Sequence, residues 1–336
     1  MEIKEAIAKL VDSDDLSMQD AGDVMNQIMG GSATDAQIAA FLVALRLKGE
    51  TIDEITACAR VMREKAAKIS PAGPLLDVVG TGGDSSGTFN ISTASAFVAA
   101  GCGIGVAKHG NKGVSSKSGS ADVLSALGVN IGLEPGQVEA CINEVGIGFM
   151  FAPKFHPAMR YAIGPRKEVG IRTIFNILGP LTNPAGAEYE LMGVFDEKLI
   201  RPLAEVLGKL GCRHALVVHG SGMDEVALAP TAVAEYRDGQ VKAYTITAED
   251  LGLRAAPLTD LRGGTPEENA ETILGILKGE INGPKRDIVL ANSGAALVAA
   301  EKAHDFRGGV AMAAKSIDDG LALEKLEKLK EFTNAG

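Results

Sequence analysis

The sequence predicts an α/β protein in which a small all-helical N-terminal domain is hinged to a larger α/β domain with a mostly parallel central sheet. Three observations predict it. The first stretch, to about residue 70, carries only helical spacing. From Leu75 onward, short apolar runs alternate with helical segments. The first of those runs opens into a glycine-rich loop that leads directly into a helix. Alternating β and α segments imply parallel strands covered by helices.

The helical part is read as follows. Ile3, Ala6, Ile7 and Leu10 recur at helical spacing. Ser17 precedes Met18-Gln19-Asp20 and reads as an N-cap; Met25, Ile28 and Met29 follow, and Gly30-Gly31 stops that helix. Thr34-Asp35 caps a segment with Ile38, Phe41, Leu42 and Leu45, and Thr51 to Glu54 opens another with Ile55, Ala59, Val61 and Met62. Pro71-Ala72-Gly73-Pro74 reads as the hinge. Helical spacing returns from His156 to Leu178, so residues 1–72 are expected to be joined in space by helices from about 156–183. The α/β domain is then expected over 73–155 and 184–336.

Within it, Leu75 to Val79 reads as a buried strand and Ile91 to Gly101 as the helix behind it. Gly103 to Ala107 reads as a strand feeding Lys108-His109-Gly110-Asn111, Ser120 to Leu127 and Pro135 to Val145 as helices, and Ile147 to Phe151 as a strand. Leu191 to Phe195 and Ala215 to His219 read as further strands, and Glu235 to Tyr244 as a hairpin turning at Asp238-Gly239. Asp287 to Ala296 reads as a strand running toward a helix, and helices close the chain to Phe332.

Composition narrows the function. The chain has 336 residues, a formal charge of −10 and no Trp, with 46% of its residues apolar. An acidic chain is a poor partner for nucleic acid or anionic lipid, so phosphate binding must come from a local site. Cys58, Cys102, Cys141 and Cys212 are far apart, which fits reduced thiols in a cytoplasmic protein rather than a disulfide or zinc framework. Met1 to Glu5 does not read as a signal peptide, and no apolar run is long enough to span a bilayer.

Four stretches carry chemistry. In Gly80-Thr81-Gly82-Gly83-Asp84-Ser85-Ser86-Gly87-Thr88-Phe89-Asn90, four glycines fall between a strand and a helix start. Such a loop brings backbone N–H groups and a helix N-terminus to a phosphate. Lys108 to Asp122 follows another strand and holds three Lys, one His and four Ser, a donor-rich loop in an acidic protein. Asp224-Glu225 sits beyond a strand end, and paired carboxylates suit Mg²⁺, which takes oxygen ligands and often bridges to substrate phosphate. The stretch from Phe151 to Pro184 supplies Arg160, Arg166 and Arg172, any of which could clamp a carboxylate; spacing does not say which.

Taken in this order, Gly80 to Asp84, Asn90 to Thr93, Lys108 to Asn111, His156 to Arg160, Gly179 to Pro184 and Asp224-Glu225 resemble the anthranilate phosphoribosyltransferase family over essentially the whole chain. The resemblance implies a nucleoside phosphorylase/phosphoribosyltransferase-like fold and a homodimer paired through the helical domain. It implies transfer of 5-phosphoribosyl from phosphoribosyl diphosphate (PRPP) to anthranilate, a step in tryptophan biosynthesis, with Mg²⁺, two ions per subunit. By position, Gly80, Gly83, Asp84 and Thr88 would line the diphosphate and ribose site. Asn90, Ile91, Ser92 and Thr93 would grip phosphate. Lys108, His109, Gly110, Asn111, Lys112, Gly113, Val114, Ser115, Ser116 and Ser120 would close over PRPP. Ser92, Asp224 and Glu225 would hold metal. Gly80, Asn111, Arg166, His109 and His156 would meet anthranilate, Arg166 through its carboxylate.

One position departs from the family pattern: Lys112-Gly113 follows Asn111 where Arg is usual, keeping the charge and losing the bidentate fork. An aniline nitrogen attacks without prior deprotonation, so no general base is assigned. Two rivals are a pyrimidine nucleoside phosphorylase-like enzyme and a non-enzymatic nucleic-acid-binding relative. The first lacks a use for the metal pair, and the second should be basic.

Overall fold

The computed structural model describes residues 1–113 and 117–335; Val114, Ser115 and Ser116 lie outside the described residues. The chain opens with four helices, α1 (Ile3–Val11), α2 (Met18–Gly30), α3 (Asp35–Lys48) and α4 (Ile52–Lys65). Their starts are chemical. The Ser17 hydroxyl accepts the Asp20 N–H, and Thr34 and Thr51 form capping boxes with Gln37 and Glu54. Each cap contributes about 1 kcal/mol by satisfying donors that the helix cannot. Gly31, at φ 75°, ends α2.

The α/β part follows as β1 (Leu75–Gly80), α5 (Ile91–Gly101), β2 (Gly105–Gly110), α6 (Ser120–Ala126), α7 (Pro135–Val145) and β3 (Ile147–Phe151). The chain then breaks into short pieces, α8 (Ala152–Phe155), α9 (Arg160–Val169) and α10 (Phe175–Leu178). It returns with β4 (Tyr189–Gly193), α11 (Ile200–Lys209), β5 (His214–Gly220), β6 (Thr231–Arg237) and β7 (Gln240–Ile246). The chain closes with α12 (Pro266–Leu277), α13 (Pro284–Ala299), α14 (Phe306–Asp318) and α15 (Leu321–Asn334). The α9 helix packs on α2 and α3, as the helical spacing after His156 led one to expect.

One sheet of seven strands runs β3-β2-β1-β4-β5-β6-β7. Its first five strands are mutually parallel, and β6 and β7 are antiparallel additions. The hairpin between them turns at Asp238 and Gly239, both at positive φ (51° and 78°). That is the mirror-image turn an Asp-Gly pair favours. The two faces of the sheet belong to different cores. Leu191, Leu216 and Val218 join the core built with α5, α13 and α15. Met192, Val194, Val217 and Ala234 join a core continuous with the helical bundle through α11 and α4.

The 287–296 segment is a correction. It lies inside α13, not in a strand. Ile288 to Ala296 is buried on every side, so it has no polar face to reveal a helical period, and a short apolar run looks the same either way. Pro284 at the helix start was the available signal. A second difference concerns Lys108 and His109. They lie within β2, which runs to Gly110, and both are buried rather than displayed on a loop.

Candidate active site

Because β1, β2, β4 and β5 are parallel, their C-terminal ends meet at one edge, where ligands bind in open α/β sheets. The glycine loop leaves β1 there, Asn111 to Gly113 leave β2, and Asp224-Glu225 lie just beyond β5. Close approach depends on two glycines. A Cβ at Gly80 would lie 2.4 Å from the Asp224 carboxylate, and one at Gly193 would lie 1.6 Å from the Asp224 carbonyl oxygen. Glycine at the ends of β1 and β4 is thus what lets Asp224 sit against the sheet.

Asp224 accepts the Gly82 N–H at 2.6 Å, and its own N–H donates to Asp84 at 3.2 Å. Glu225 accepts the Ser92 N–H at 3.1 Å, so a carboxylate lies on the N-terminus of α5. Desolvation raises the pKa of both acids, and the neighbouring charges, Asp84 on Asp224 and Asp224 on Glu225, raise them further. Acids this reluctant to ionise together are suited to a hard divalent cation, which relieves both penalties. Among the described residues no three His, Cys, Asp or Glu form a closed cage.

Lys108 reaches this edge from β2. Its ammonium donates to the Val78 carbonyl at 2.6 Å and lies 3.4 Å from the Ser92 hydroxyl. Burial lowers its pKa, while Asp77 and Glu225 support the charge. The Asn90 side chain is engaged: its oxygen accepts from Ser118 at 3.1 Å and Asn269 at 3.0 Å, and its nitrogen donates to the Ser118 carbonyl. Ile91 is a core residue, so only its backbone can face a ligand. Thr88 is bridged to Arg262, and the Gly263 N–H donates to Gly87, so the 261–263 segment pins the far end of the glycine loop.

The cationic loop is cinched by Asp122, which accepts the N–H groups of both Gly113 and Gly119 at 2.8 and 2.9 Å. Asn111 accepts the Lys112 N–H at 2.8 Å, and Lys112 is exposed. Ser120 donates to the Asn111 carbonyl at 3.4 Å.

Of the candidate aromatic-substrate residues, His109 on β2 and His156, just after α8, are brought together. The imidazoles of His109 and His156 lie 5.0 Å apart between centroids, and in each Nε2 has no hydrogen-bond partner. Burial holds their pKa values down to about 3 and about 4, so both are neutral at physiological pH. Arg166, in the last turn of α9, lies over the Phe175 ring at 5.0 Å. Among the described residues it forms no ion pair, so Glu168 does not hold it. Arg160 is occupied by Tyr161, at 2.7 Å from its hydroxyl. Arg172 donates to the Gly83 carbonyl. Asn183, from the Gly179 to Pro184 run, ties this side to the sheet by donating to Asp77 at 2.6 Å and to Ala107 at 2.8 Å. Burial raises the Asp77 pKa to about 6.

Sequence reasoning missed Asn269, Phe195, Gly193 and the 261–263 segment. None lies in a motif. A glycine closing an apolar strand at Gly193 was the one signal available.

A bundle joined to a mostly parallel sheet, with glycine, cation and carboxylate converging at one edge, defines a two-domain transferase architecture. The chain matches the glycosyl transferase family a/b domain over residues 72–323 and the family's helical bundle domain over residues 4–66. It is 54% identical to anthranilate phosphoribosyltransferase of Geotalea daltonii, covering 99% of this chain and 100% of that protein. The crystal structure of the Thermus thermophilus enzyme of that name superposes with a TM-score of 0.94 at 46% identity, covering 98% of this chain and 99% of that one. The Saccharomyces cerevisiae enzyme, in complex with PRPP and Mg, superposes with a TM-score of 0.91 at 27% identity, covering 99% and 98%. The chain belongs to this glycosyl transferase family, and within it to the anthranilate phosphoribosyltransferases. Neither the phosphorylase nor the nucleic-acid-binding alternative is favoured by these relationships.

Proposed function

We propose that the chain transfers the 5-phosphoribosyl group of PRPP to the amine of anthranilate, releasing diphosphate. The C–O bond at the anomeric carbon breaks with its electron pair leaving on diphosphate, the C–N bond forms, and the aniline nitrogen then loses a proton to the departing diphosphate or to solvent. The observation that carries the reading is the sheet edge where the glycine loop, Lys108 and the Asp224-Glu225 pair converge, reached from the helical side by Arg172 at Gly83.

The leaving diphosphate gains negative charge while the ribose becomes cationic. Lys108 and the positive end of the α5 dipole would supply the fixed positive field against which that charge develops, since the loop N–H groups of Thr81 and Gly82 are already engaged. Asp224 and Glu225, with the Ser92 hydroxyl, would hold Mg²⁺, two ions in each subunit. Bound there, Mg²⁺ supplies charge neutralisation for the diphosphate. Gly83, Asp84, Thr88 and Asn90 to Thr93 line the PRPP side, as do Lys108 to Gly113 and Ser120; in Asn90 and Ile91 the backbone does so. Arg166 takes the anthranilate carboxylate. His109 and His156, both neutral, form a dry wall for the aromatic ring, and Gly80 and Asn111 complete that side. Closing the helical side over the edge excludes water, the competing nucleophile.

The protein is further proposed to be a cytoplasmic homodimer paired through its helical part. Val11, Leu47, Ile163 and Ile171, four of the six large apolar side chains exposed among the described residues, lie there.

Anthranilate fluorescence tests the activity. Signal should fall only when enzyme, PRPP and Mg²⁺ are all present. Turnover of a pyrimidine nucleoside with inorganic phosphate, and none with PRPP, would overturn the reading.

A further inference from the structure

Three residues of the phosphate loop are each held by a different part of the chain. The Thr81 N–H donates to the Gly193 carbonyl at 2.9 Å, at the end of β4. The Gly82 N–H donates to Asp224 at 2.6 Å. The Gly83 carbonyl accepts from Arg172, on the segment that follows α9. The first two holds come from the α/β part. The third is the only hydrogen bond from the helical side to residues 80–87 among the described residues.

Arg172 is itself braced. Its guanidinium lies 4.2 Å from the centroid of the Phe195 ring, a cation–π contact that fixes a planar group. The Phe195 N–H donates to the Thr81 hydroxyl at 3.1 Å, so the platform is tied to the same loop. Gly83 stands at φ 74°, and a Cβ there would sit 3.4 Å from the Arg172 Nη2. A trans peptide is planar, so anchoring the Gly83 carbonyl turns the Asp84 N–H the opposite way, away from Arg172.

We propose that Arg172 is a positioning residue. Carried by the helical side and stacked on Phe195, it sets the Gly83–Asp84 peptide, so the diphosphate loop is complete only when that side is docked. Arg172 is distinct from the Arg166 clamp, acting on PRPP rather than on anthranilate. The kinetic part rests on the proposed transfer from PRPP; the loop-ordering part does not.

The test uses the full-length protein and three variants, Arg172→Ala, Arg172→Lys and Phe195→Leu. Amide hydrogen exchange at residues 82–86 is followed without substrates, beside steady-state kinetics in both substrates. In Arg172→Ala, exchange at 82–86 and the KM for PRPP should each rise about tenfold, the size of one lost charge-assisted hydrogen bond. The KM for anthranilate should stay within about twofold, since uniform binding of that substrate is untouched. Arg172 is exposed, so the melting temperature should hold. Arg172→Lys should rescue in part, and Phe195→Leu should move both readouts the same way by less. Unchanged exchange with unchanged KM for PRPP overturns the proposal, as does a loss confined to anthranilate. If the wild type transfers nothing from PRPP, the functional reading falls and the exchange measurement alone decides Arg172.

Discussion

Asn269 donates to the Asn90 side-chain oxygen at 3.0 Å, and its own oxygen accepts the Gly264 N–H at 2.8 Å. One buried amide on α12 therefore holds both the residue capping α5 and the turn that precedes α12 itself. Ser118 holds the same side chain by donating to its oxygen at 3.1 Å and accepting from its nitrogen at 3.1 Å, so Asn269 is one of two residues that fix the Asn90 rotamer.

That relationship gives the first prediction. Asn269→Asp keeps the shape and the acceptor for Gly264 but cannot donate to Asn90. It should raise the KM for PRPP by roughly tenfold, while the KM for anthranilate stays put. Asn269→Ala should add a stability loss of about 1–3 kcal/mol for the unsatisfied buried groups it leaves. Denaturant unfolding beside two-substrate kinetics separates the two effects. Equal losses for both substrates in Asn269→Asp would show that Asn269 only supports the fold.

The carboxylate pair gives the second. Asp224 has its pKa raised to about 7, so in the metal-free fold it keeps its proton up to near neutral pH. A raised pKa contributes stability that is present at low pH and lost as pH climbs through the folded value. Metal-free protein should therefore lose stability between about pH 4 and pH 8. Asp224→Asn keeps an acceptor for the Gly82 N–H and should flatten that loss. Mg²⁺ should raise the melting temperature of the wild type at pH 8 and leave the Asp224→Asn, Glu225→Gln double variant unmoved. The same double variant should turn over at most a few per cent as fast, given the several kcal/mol that metal charge supplies. A magnesium-dependent melting shift that survives in it would place the ion elsewhere.

The histidine pair gives the third, with the opposite sign. His109 and His156 have pKa values depressed to about 3 and about 4. Their contribution to stability is complete above the unfolded value near 6.5 and drains away as pH falls toward the folded values. His156→Gln cannot charge, so its unfolding free energy should fall less steeply between pH 6.5 and 4 than that of the wild type. The pH–rate profile should show no limb near 6.5 from either ring. A limb there that disappears in His156→Gln would mean the ring titrates in the working enzyme and is not merely a dry wall.

How much of this was legible depends on how locally each feature is encoded. The glycine loop, the Asp224-Glu225 pair and the Ser17, Thr34 and Thr51 caps are runs of adjacent residues whose chemistry is visible without a fold. The burial of Lys108 and His109 was not, because a strand boundary shifted by three residues decides it, and two polar side chains disguise the strand's end. The α13 helix was misread for a related reason: burial on all sides removes the polar face that a helical period needs. Asn269, Phe195 and Asp122 could not be ranked at all. Each is an ordinary residue whose role exists only because the fold brings it to Asn90, Arg172 or the two ends of the cationic loop.

The last prediction concerns Arg166, which separates substrate choice from fold. Anthranilate carries a carboxylate ortho to its reacting amine, and a site must neutralise that charge while aiming the nitrogen. A guanidinium does both, because it is permanently charged and planar. Arg166 lies over the Phe175 ring, which fixes its plane, and has no acid within ion-pair distance among the described residues. Burial lowers its pKa, so its charge is costly where it stands and a substrate anion would offset that cost. Arg166→Ala should therefore raise the KM for anthranilate by ten- to a hundredfold, roughly the 1.5–3 kcal/mol of a charged hydrogen bond, and lower kcat if aim is lost as well. The KM for PRPP should not change. Stability should hold or improve slightly, because an unpaired, partly buried cation is removed. Arg166→Lys should recover little, lacking the fork and the flat stack on Phe175. A lowered melting temperature with an unchanged KM for anthranilate would make Arg166 a packing residue, and the carboxylate clamp would have to be sought elsewhere on the helical side.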